Sequence, residues 1–291
     1  MRAPAEPTPP ASSTETPSGK HAGTENFPVG SHLIARRLRP HVMTFYAFAR
    51  AIDDIADNPA LAPEDKLARL TLFERGLLEP AAGEAPAKAR ALAVSLRETR
   101  VTSRHALDLI DAFRQDAVQA RYAGWHDLMA YCDRSAAPVG RYLLDLHGEA
   151  RSHYPAADAL CNALQVLNHL QDCGEDYRQL DRVYLPLDWL AAEAVKAAAL
   201  AEARAGAGLR RVLDHCLAAT DELLRAARPL PFVLASRRLA LESAAILAIA
   251  ERLSAALKRR DPLAARVKLS RGKTLSAVLV GLGRQFVGRW N

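Results

Sequence analysis

Apolar residues recur at helical spacing along most of this 291-residue chain. Ala and Leu dominate, aromatic residues make up only 6%, and runs of β-branched residues are scarce, so intrinsic propensity favours helix over strand nearly everywhere. Hydrophobic residues make up 49% of the chain, which is enough for a sizeable buried core. The sequence therefore predicts an all-α fold.

The periodicity predicts a series of helices separated by Gly and Pro breakers. They are expected at 38–57, 64–79, 87–98, 102–121, 125–134, 138–149, 156–174, 206–227, 237–259 and 273–287. Residues 1–24, rich in Pro, Ser and Thr, are predicted to be disordered, and one domain is predicted over 25–291. Gly174 is expected to end the seventh helix, followed by a polar, charged loop from Glu175 to Pro186.

The net charge of +6 fits an anionic membrane surface, a phosphorylated substrate or nucleic acid. The basic residues are dispersed and no nucleic-acid motif is visible, so we expect no nucleic-acid partner. The four cysteines form no C-x-x-C pair, which fits a reducing cytoplasm. The segment from Lys268 to Trp290 mixes basic and apolar residues, so it is either a peripheral contact with the inner membrane face or a packed last helix with a basic exterior.

Two acidic residues lie one helical turn apart at the end of the first predicted helix, in the segment FYAFARAIDDIAD. Asp53 and Asp57 are four positions apart, so their carboxylates share one face. Acidic groups near a helix C-terminus oppose the helix dipole, at about 0.3–1 kcal/mol each, so helix stability does not explain them. Such a pair suits Mg²⁺, which prefers hard oxygen ligands. A solvated acidic helix end is the alternative.

A second acidic stripe follows in LQVLNHLQDCGEDYRQLDRVYLP. Asn168, Asp172 and Asp176 recur every four positions and therefore line one helical face. Three side chains with donors suited to phosphate oxygens come next: Arg178, Arg182 and Tyr184. The two stripes together predict a diphosphate held through Mg²⁺ between facing carboxylates in a helical bundle.

The order of these motifs resembles that of the squalene and phytoene synthases. R-x-x-D-D-x-x-D begins at Arg50, and N-x-x-x-D-x-x-E-D-x-R…Y-L-P begins at Asn168. Between them stand R-Y, Y-C and V-G pairs, which are Arg121 and Tyr122, Tyr131 and Cys132, and Val139 and Gly140. The resemblance covers about residues 25–190 and implies an isoprenoid synthase fold, a single helical bundle with a central active-site cavity. It also implies a prenyl diphosphate substrate and Mg²⁺ as cofactor.

The resemblance also implies roles for individual residues. Asp53, Asp57, Asp172 and Asp176 would bind Mg²⁺ directly or through water, with Asn168 as a neighbouring ligand or support. These four aspartates and Tyr184 form the expected catalytic set. The expected substrate-binding residues are Arg50, Asn168, Arg178, Arg182, Tyr46 and Phe27. Candidate walls of a water-excluding cavity are Phe45, Tyr46, Phe48, Leu143 and Leu144, with ordinary core packing as the alternative.

Two local features are similar to the branch of this family that forms hydroxysqualene in the squalene and hopanoid pathway. One is the segment Glu25 to Val29, and the other runs from Tyr131 to Arg141. Condensing relatives commonly read Y-C-x-x-V-A-G-x-V-G in the latter, so Ser135 replaces Val and Ala137 replaces Gly, just before Pro138. The resemblance to this branch implies a lyase that converts presqualene diphosphate and water into hydroxysqualene and diphosphate. Neutral drift at a helix junction is the alternative.

Several alternatives remain open from the sequence. The chain could condense two farnesyl diphosphates into presqualene diphosphate or squalene with the same metal walls, or it could be a non-catalytic family member. The group that orients the capturing water is open among Tyr131, Ser135 and Asp133. Asp116 and Arg121 are either functional polar positions or a structural ion pair. Association with other enzymes of the squalene pathway is a further expectation.

Overall fold

The structure is a computed structural model that describes residues 14–15, 33–81 and 85–288, with the side chains of 286–288 excepted. The segment predicted to be disordered lies outside these residues apart from 14–15, and so do Phe27 and the segment Glu25 to Val29. Within the described ranges, extended pairing is limited to one bridge between Arg121 and Val183, and the regular elements are helices. The predicted all-α class is confirmed.

The helices follow the predicted order. They are α1 (Arg39–Ala56), α2 (Pro63–Leu78), α3 (Ala87–Thr99), α4 (Arg104–Val118), α5 (Trp125–Ser135), α6 (Ala137–His147), α7 (Tyr154–Leu180), α8 (Leu187–Ala192), α9 (Ala207–Ala227), α10 (Leu230–Val233), α11 (Arg237–Leu257) and α12 (Arg271–Gly288). Each predicted helix is present, and the short helices α8 and α10 are additional. Prolines occupy the first turn of α1, α2, α6 and α7, where the missing N–H is no loss.

Helix α7 is longer than predicted. It continues past Gly174 to Leu180, so the expected loop beginning at Glu175 is wrong for its first six residues. Gly174 instead allows close packing, because a Cβ atom there would lie 2.7 Å from Leu263 Cδ2 and 3.2 Å from the Leu200 carbonyl oxygen. The helix ends where Asp181 adopts the left-handed region with φ of 50°. Asp172 and Asp176 therefore lie within the helix, about two turns and one turn before its end, respectively.

The buried core has two main parts. One joins α5, α7, α9 and α11, and the other joins α1 to α4. Helix α6 contributes to both, with Leu144 in the first part and Tyr142 in the second. A cavity lies where the two parts meet, walled chiefly by α1, α6, α7 and α11. None of the described helices is long and apolar enough to cross a lipid bilayer.

Candidate active site

The central cavity has a volume of about 350 Å³ and mostly apolar walls. Four of the predicted wall residues line it, namely Phe45, Tyr46, Leu143 and Leu144. Phe48 does not: it is fully buried in the core and packs edge-on against Phe73, with ring centroids 5.7 Å apart. Ordinary core packing is therefore the correct interpretation for Phe48, and the central cavity predicted from the family resemblance is present.

The cavity has polar residues from both predicted motifs. Arg50 and Asp53 of α1 and Asn168 of α7 line it. The Arg50 guanidinium lies 2.5 Å from an Asp53 oxygen and 2.6 Å from an oxygen of Asp54, which is buried. Asp54, the second aspartate of the D-D pair, accepts hydrogen bonds from Arg50 and thereby fixes the position of its guanidinium. The arrangement sets a cation and a carboxylate at one end of an apolar chamber.

Asp57, the other acid of the first stripe, is tied to the segment that follows α7. Arg182 lies 2.5 Å from an Asp57 oxygen, and it also donates to the carbonyl oxygens of Ala56 at 2.9 Å and Asp116 at 3.2 Å. Arg182 is only 6% exposed. The Arg182 guanidinium thus links the C-terminal ends of α1 and α4 through hydrogen bonds to Ala56, Asp57 and Asp116. The predicted contact between Arg182 and substrate stays a prediction.

The acidic stripe on α7 lies close to the stripe on α1. Burial raises the pKa of Asp176 to about 8, and the negative charges of Asp172 and Asp57 add to this shift, while Arg182 opposes it. Asp57 and Asp176 are therefore near enough to repel one another across the two helices. Asp172 pairs with Arg266 at 2.6 Å. Arg178 is exposed on α7.

The chemistry of this donor set fits a hard divalent cation. The negative charges of Asp57 and Asp172 act on Asp176, and a cation among these carboxylates would relieve that repulsion. Across the described ranges, no three His, Cys, Asp or Glu side chains converge closely enough to hold an ion by themselves. Mg²⁺ usually binds through one or two carboxylates and takes its remaining ligands from water and substrate phosphates. The residues present thus fit an ion shared with a diphosphate.

Tyr184 belongs to a buried polar cluster rather than to the cavity wall described above. Its ring stacks on His169 with centroids 3.5 Å apart, and its hydroxyl lies 3.5 Å from Asp116. Tyr131 donates a closer hydrogen bond of 2.7 Å to the same carboxyl group. Burial raises the pKa of Asp116 to about 7, although nearby Arg182 and the two phenols favour its ionised form.

The possible ion pair between Asp116 and Arg121 does not form. Arg121 lies beyond the end of α4 and pairs with Asp181 at 2.5 Å.

Sequence spacing could not predict the cluster of Asp116, Tyr131 and Tyr184, because its members come from three separate segments. Tertiary packing alone brings these three side chains into one buried group.

The three candidates for orienting water occupy different environments. Tyr131 is engaged with Asp116, and Asp133 is exposed and accepts a hydrogen bond of 2.7 Å from Asn162. Ser135 lines the cavity, and its hydroxyl oxygen is buried without a hydrogen-bond partner among the described residues. Of the three, Ser135 is the one placed at the cavity wall.

Comparison with known proteins agrees with this geometry. The squalene/phytoene synthase family matches residues 20–273 of the chain. The chain belongs to the squalene/phytoene synthase family. This family member is 42% identical to the hydroxysqualene synthase of Zymomonas mobilis, over 92% of the chain and 91% of that relative. It is 43% identical to the hydroxysqualene synthase of Rhodopseudomonas palustris, over 94% of the chain and 91% of that relative.

A solved structure gives the same result for the fold. The crystal structure of a squalene synthase from Alicyclobacillus acidocaldarius superposes with a TM-score of 0.71 at 34% sequence identity. The match covers 79% of this chain and 86% of that one. The predicted isoprenoid synthase fold is confirmed.

One buried acid that lines the cavity, Glu242, is not among the predicted site residues. Glu242 of α11 is 3% exposed and lines the cavity next to Ser243. The available signal was a charged residue inside the apolar run from Leu239 to Ala250. Burying a carboxyl group costs free energy unless it is hydrogen-bonded or charge-paired, so a Glu within an apolar helical run is a candidate functional residue.

Proposed function

We propose that this protein is a hydroxysqualene synthase, converting presqualene diphosphate and water into hydroxysqualene and diphosphate. The observation that carries the proposal is the apolar cavity with Arg50, Asp53 and Asn168 at its polar end. A long prenyl chain fits the apolar walls, and a diphosphate fits the cationic and metal-capable end. Relatives named hydroxysqualene synthase share 42% and 43% of their residues with this chain over almost its full length. The coarser assignment is a synthase that converts prenyl diphosphates.

We propose Mg²⁺ as the cofactor, held by Asp53, Asp57, Asp172 and Asp176 together with the diphosphate, with Asn168 as a neighbouring ligand or support. When bound, the ion would neutralise charge on the departing diphosphate. Arg50, held in place by Asp54, donates to the same leaving group. Donation strengthens as negative charge develops on the leaving oxygen, so it favours the transition state over the ground state.

The chain's own residues then protect the carbocation. The carbon–oxygen bond breaks with its electron pair leaving on diphosphate, and the cyclopropylcarbinyl cation rearranges. Apolar walls such as Phe45, Leu143 and Leu164 exclude bulk water, so the cation survives until one water oxygen forms the new carbon–oxygen bond. The proton released by that water passes to the diphosphate. No electron donor is required, and the bond that breaks is the carbon–oxygen bond to diphosphate, as in a carbon–oxygen lyase.

The decisive experiment uses purified protein, presqualene diphosphate and Mg²⁺ in ¹⁸O-labelled water, without a nicotinamide. We expect a labelled C30 alcohol. Asp53→Asn and Asp172→Asn should each reduce turnover by about 100-fold or more, since each removes a proposed ligand. The matched control is Asp65→Asn, an exposed aspartate on α2.

Three outcomes would contradict parts of the proposal. Conversion of farnesyl diphosphate without turnover of presqualene diphosphate would identify a condensing enzyme. Absence of turnover of either substrate would favour a non-catalytic family member. Full activity of both aspartate variants would reject the proposed metal ligands.

We further propose that the enzyme is cytoplasmic and associates with other enzymes of the squalene pathway. Co-purification with those enzymes would test the association.

A further inference from the structure

Helix α12 presents large apolar side chains to solvent. Leu275 and Leu279 are 60% and 61% exposed and lie one turn apart, and Val280 beside them is 39% exposed. The opposite side of α12 is packed: Ala277 is fully buried, and a Cβ atom at Gly281 would overlap the Ala244 carbonyl oxygen of α11. The helix is therefore firmly seated, and its outward face is apolar.

More apolar surface lies on the neighbouring short helix α10. Phe232 and Val233 are 45% and 47% exposed. Gln285 of α12 donates a hydrogen bond of 2.6 Å to the Pro231 carbonyl oxygen, which ties the two helices together. Exposed clusters of this kind on a folded protein indicate a contact surface.

The apolar face has a basic border. Lys268, Arg271 and Lys273 are exposed, and within the described part of the chain none of them pairs with an acid. The sequence from 262 to 291 contains no Asp or Glu. We call these three basic residues together with Leu275, Leu279 and Val280 the α12 face. Its combination of apolar centre and positive border is complementary to anionic lipid headgroups over acyl chains.

We propose that the α12 face docks on the surface of an anionic lipid bilayer. A second copy of this chain is a poorer partner, because a symmetric contact would bring one basic border against another. The position in the fold supports a lipid partner. Helix α11 separates α12 from the cavity, with Leu239 and Ile246 lining the cavity and Ala248 and Ile249 packing beside α12. The docked face would thus bring the membrane one helix away from the apolar cavity.

The test is co-sedimentation of the full chain with phosphatidylcholine vesicles, with and without phosphatidylglycerol. We expect binding to the anionic vesicles that weakens at high salt. Leu275→Ser combined with Leu279→Ser should weaken binding by about tenfold or more by removing apolar insertion. Lys268→Gln, Arg271→Gln and Lys273→Gln together should weaken it by about 100-fold on anionic vesicles.

The matched control combines Leu78→Ser with Val94→Ser, which are 54% and 44% exposed on α2 and α3. This control should bind vesicles like the unchanged protein. Circular dichroism and thermal unfolding check that every variant is folded, and the measurement needs no turnover, so it stands or falls separately from the proposed reaction. Binding that is absent, or that survives the change at Leu275 and Leu279, would overturn the proposal. A dimer that dissociates with the same double change would assign the face to a second copy instead.

Discussion

Asp116 is a buried carboxyl group whose ionisation is linked to folding. Its pKa is raised from 3.8 to about 7, chiefly by burial. The folded state therefore holds an extra proton between these values, so this group's contribution to stability is complete below about pH 4 and is lost as pH rises through about 7. Asn resembles the protonated form of Asp and does not ionise.

We predict that Asp116→Asn alters the pH dependence of stability. The free energy of unfolding of the unchanged protein, minus that of the variant, should decrease as pH rises from about 4 to above 7. Urea unfolding at a series of pH values measures this difference. Asp214→Asn, at an exposed position on α9, is the matched control. A difference that is constant with pH would show that Asp116 is not the buried, proton-binding group described here.

Ser135 offers a second prediction at the residue scale. Its hydroxyl is buried at the cavity wall without a partner among the described residues, so Ser135→Ala, which removes only this hydroxyl, should leave the free energy of unfolding equal or slightly higher. If the hydroxyl orients the capturing water, Ser135→Ala should continue to release diphosphate while the ratio of C30 alcohol to hydrocarbon falls by about fivefold, as loss of a hydrogen bond of about 1 kcal/mol predicts.

Product analysis by mass spectrometry measures this ratio. Ser243→Ala, which removes another hydroxyl from the same cavity wall, is the comparison. An unchanged ratio in the Ser135 variant, or an equal change in both variants, would show that Ser135 has no specific part in water capture.

At the scale of elements, the contact between α11 and α12 depends on glycine. Gly281 allows the backbones to approach, whereas Gly283, two residues along the same helix, faces open space. We predict that Gly281→Ala lowers the free energy of unfolding by about 1–3 kcal/mol through overpacking. Gly283→Ala should raise it by up to about 1 kcal/mol, because Ala has the higher helix propensity.

Urea unfolding of the two variants tests this contact, and each serves as the other's control. Equal effects would mean that α12 is not pressed against α11. The pair matters for the α12 face as well, since a helix that is loosely attached would not hold its exposed leucines in a fixed orientation.

At the scale of the whole molecule, carboxylates attached to the two parts of the core lie close enough to interact. Asp57 on one side and Asp172 and Asp176 on the other repel each other, and a proposed Mg²⁺ diphosphate complex would relieve this repulsion while bridging the halves. We predict that Mg²⁺ and diphosphate together raise Tm by roughly 5–10 °C at a concentration about 100 times Kd. Either one alone should raise Tm less. Diphosphate alone adds negative charge beside the carboxylates, and Mg²⁺ alone lacks the phosphate ligands that complete its coordination.

Differential scanning calorimetry measures these shifts. Above about pH 8, Asp176→Asn should raise Tm of the unliganded protein by removing a buried charge, and it should reduce the increase caused by the complex. A variant that retains the full increase would show that the stripe on α7 does not take part in binding.

Much of this molecule could be predicted from local sequence patterns. Helical periodicity located the long helices, because helix formation depends on neighbours within a few residues. The spacing of four between Asp53 and Asp57, and between Asp172 and Asp176, predicts that each pair shares one helical face. Asp172 and Asp176 both lie within α7, whereas Asp57 is the residue that follows α1. The motif order also identified the family and hence the fold.

The tertiary structure decided what depends on contacts between distant segments. Gly174 looked like a helix end and is instead a packing position, because Leu200 and Leu263 approach it from far along the chain. Arg182 joins α1 to α4, and Glu242 reaches the cavity from α11. Burial and long-range electrostatics set these environments, and neither is encoded in spacing along one helix. The sequence by itself identified groups that could bind a diphosphate, and the packing of the two parts of the core decided which of them, Arg50, Asp53 and Asn168, line the apolar cavity.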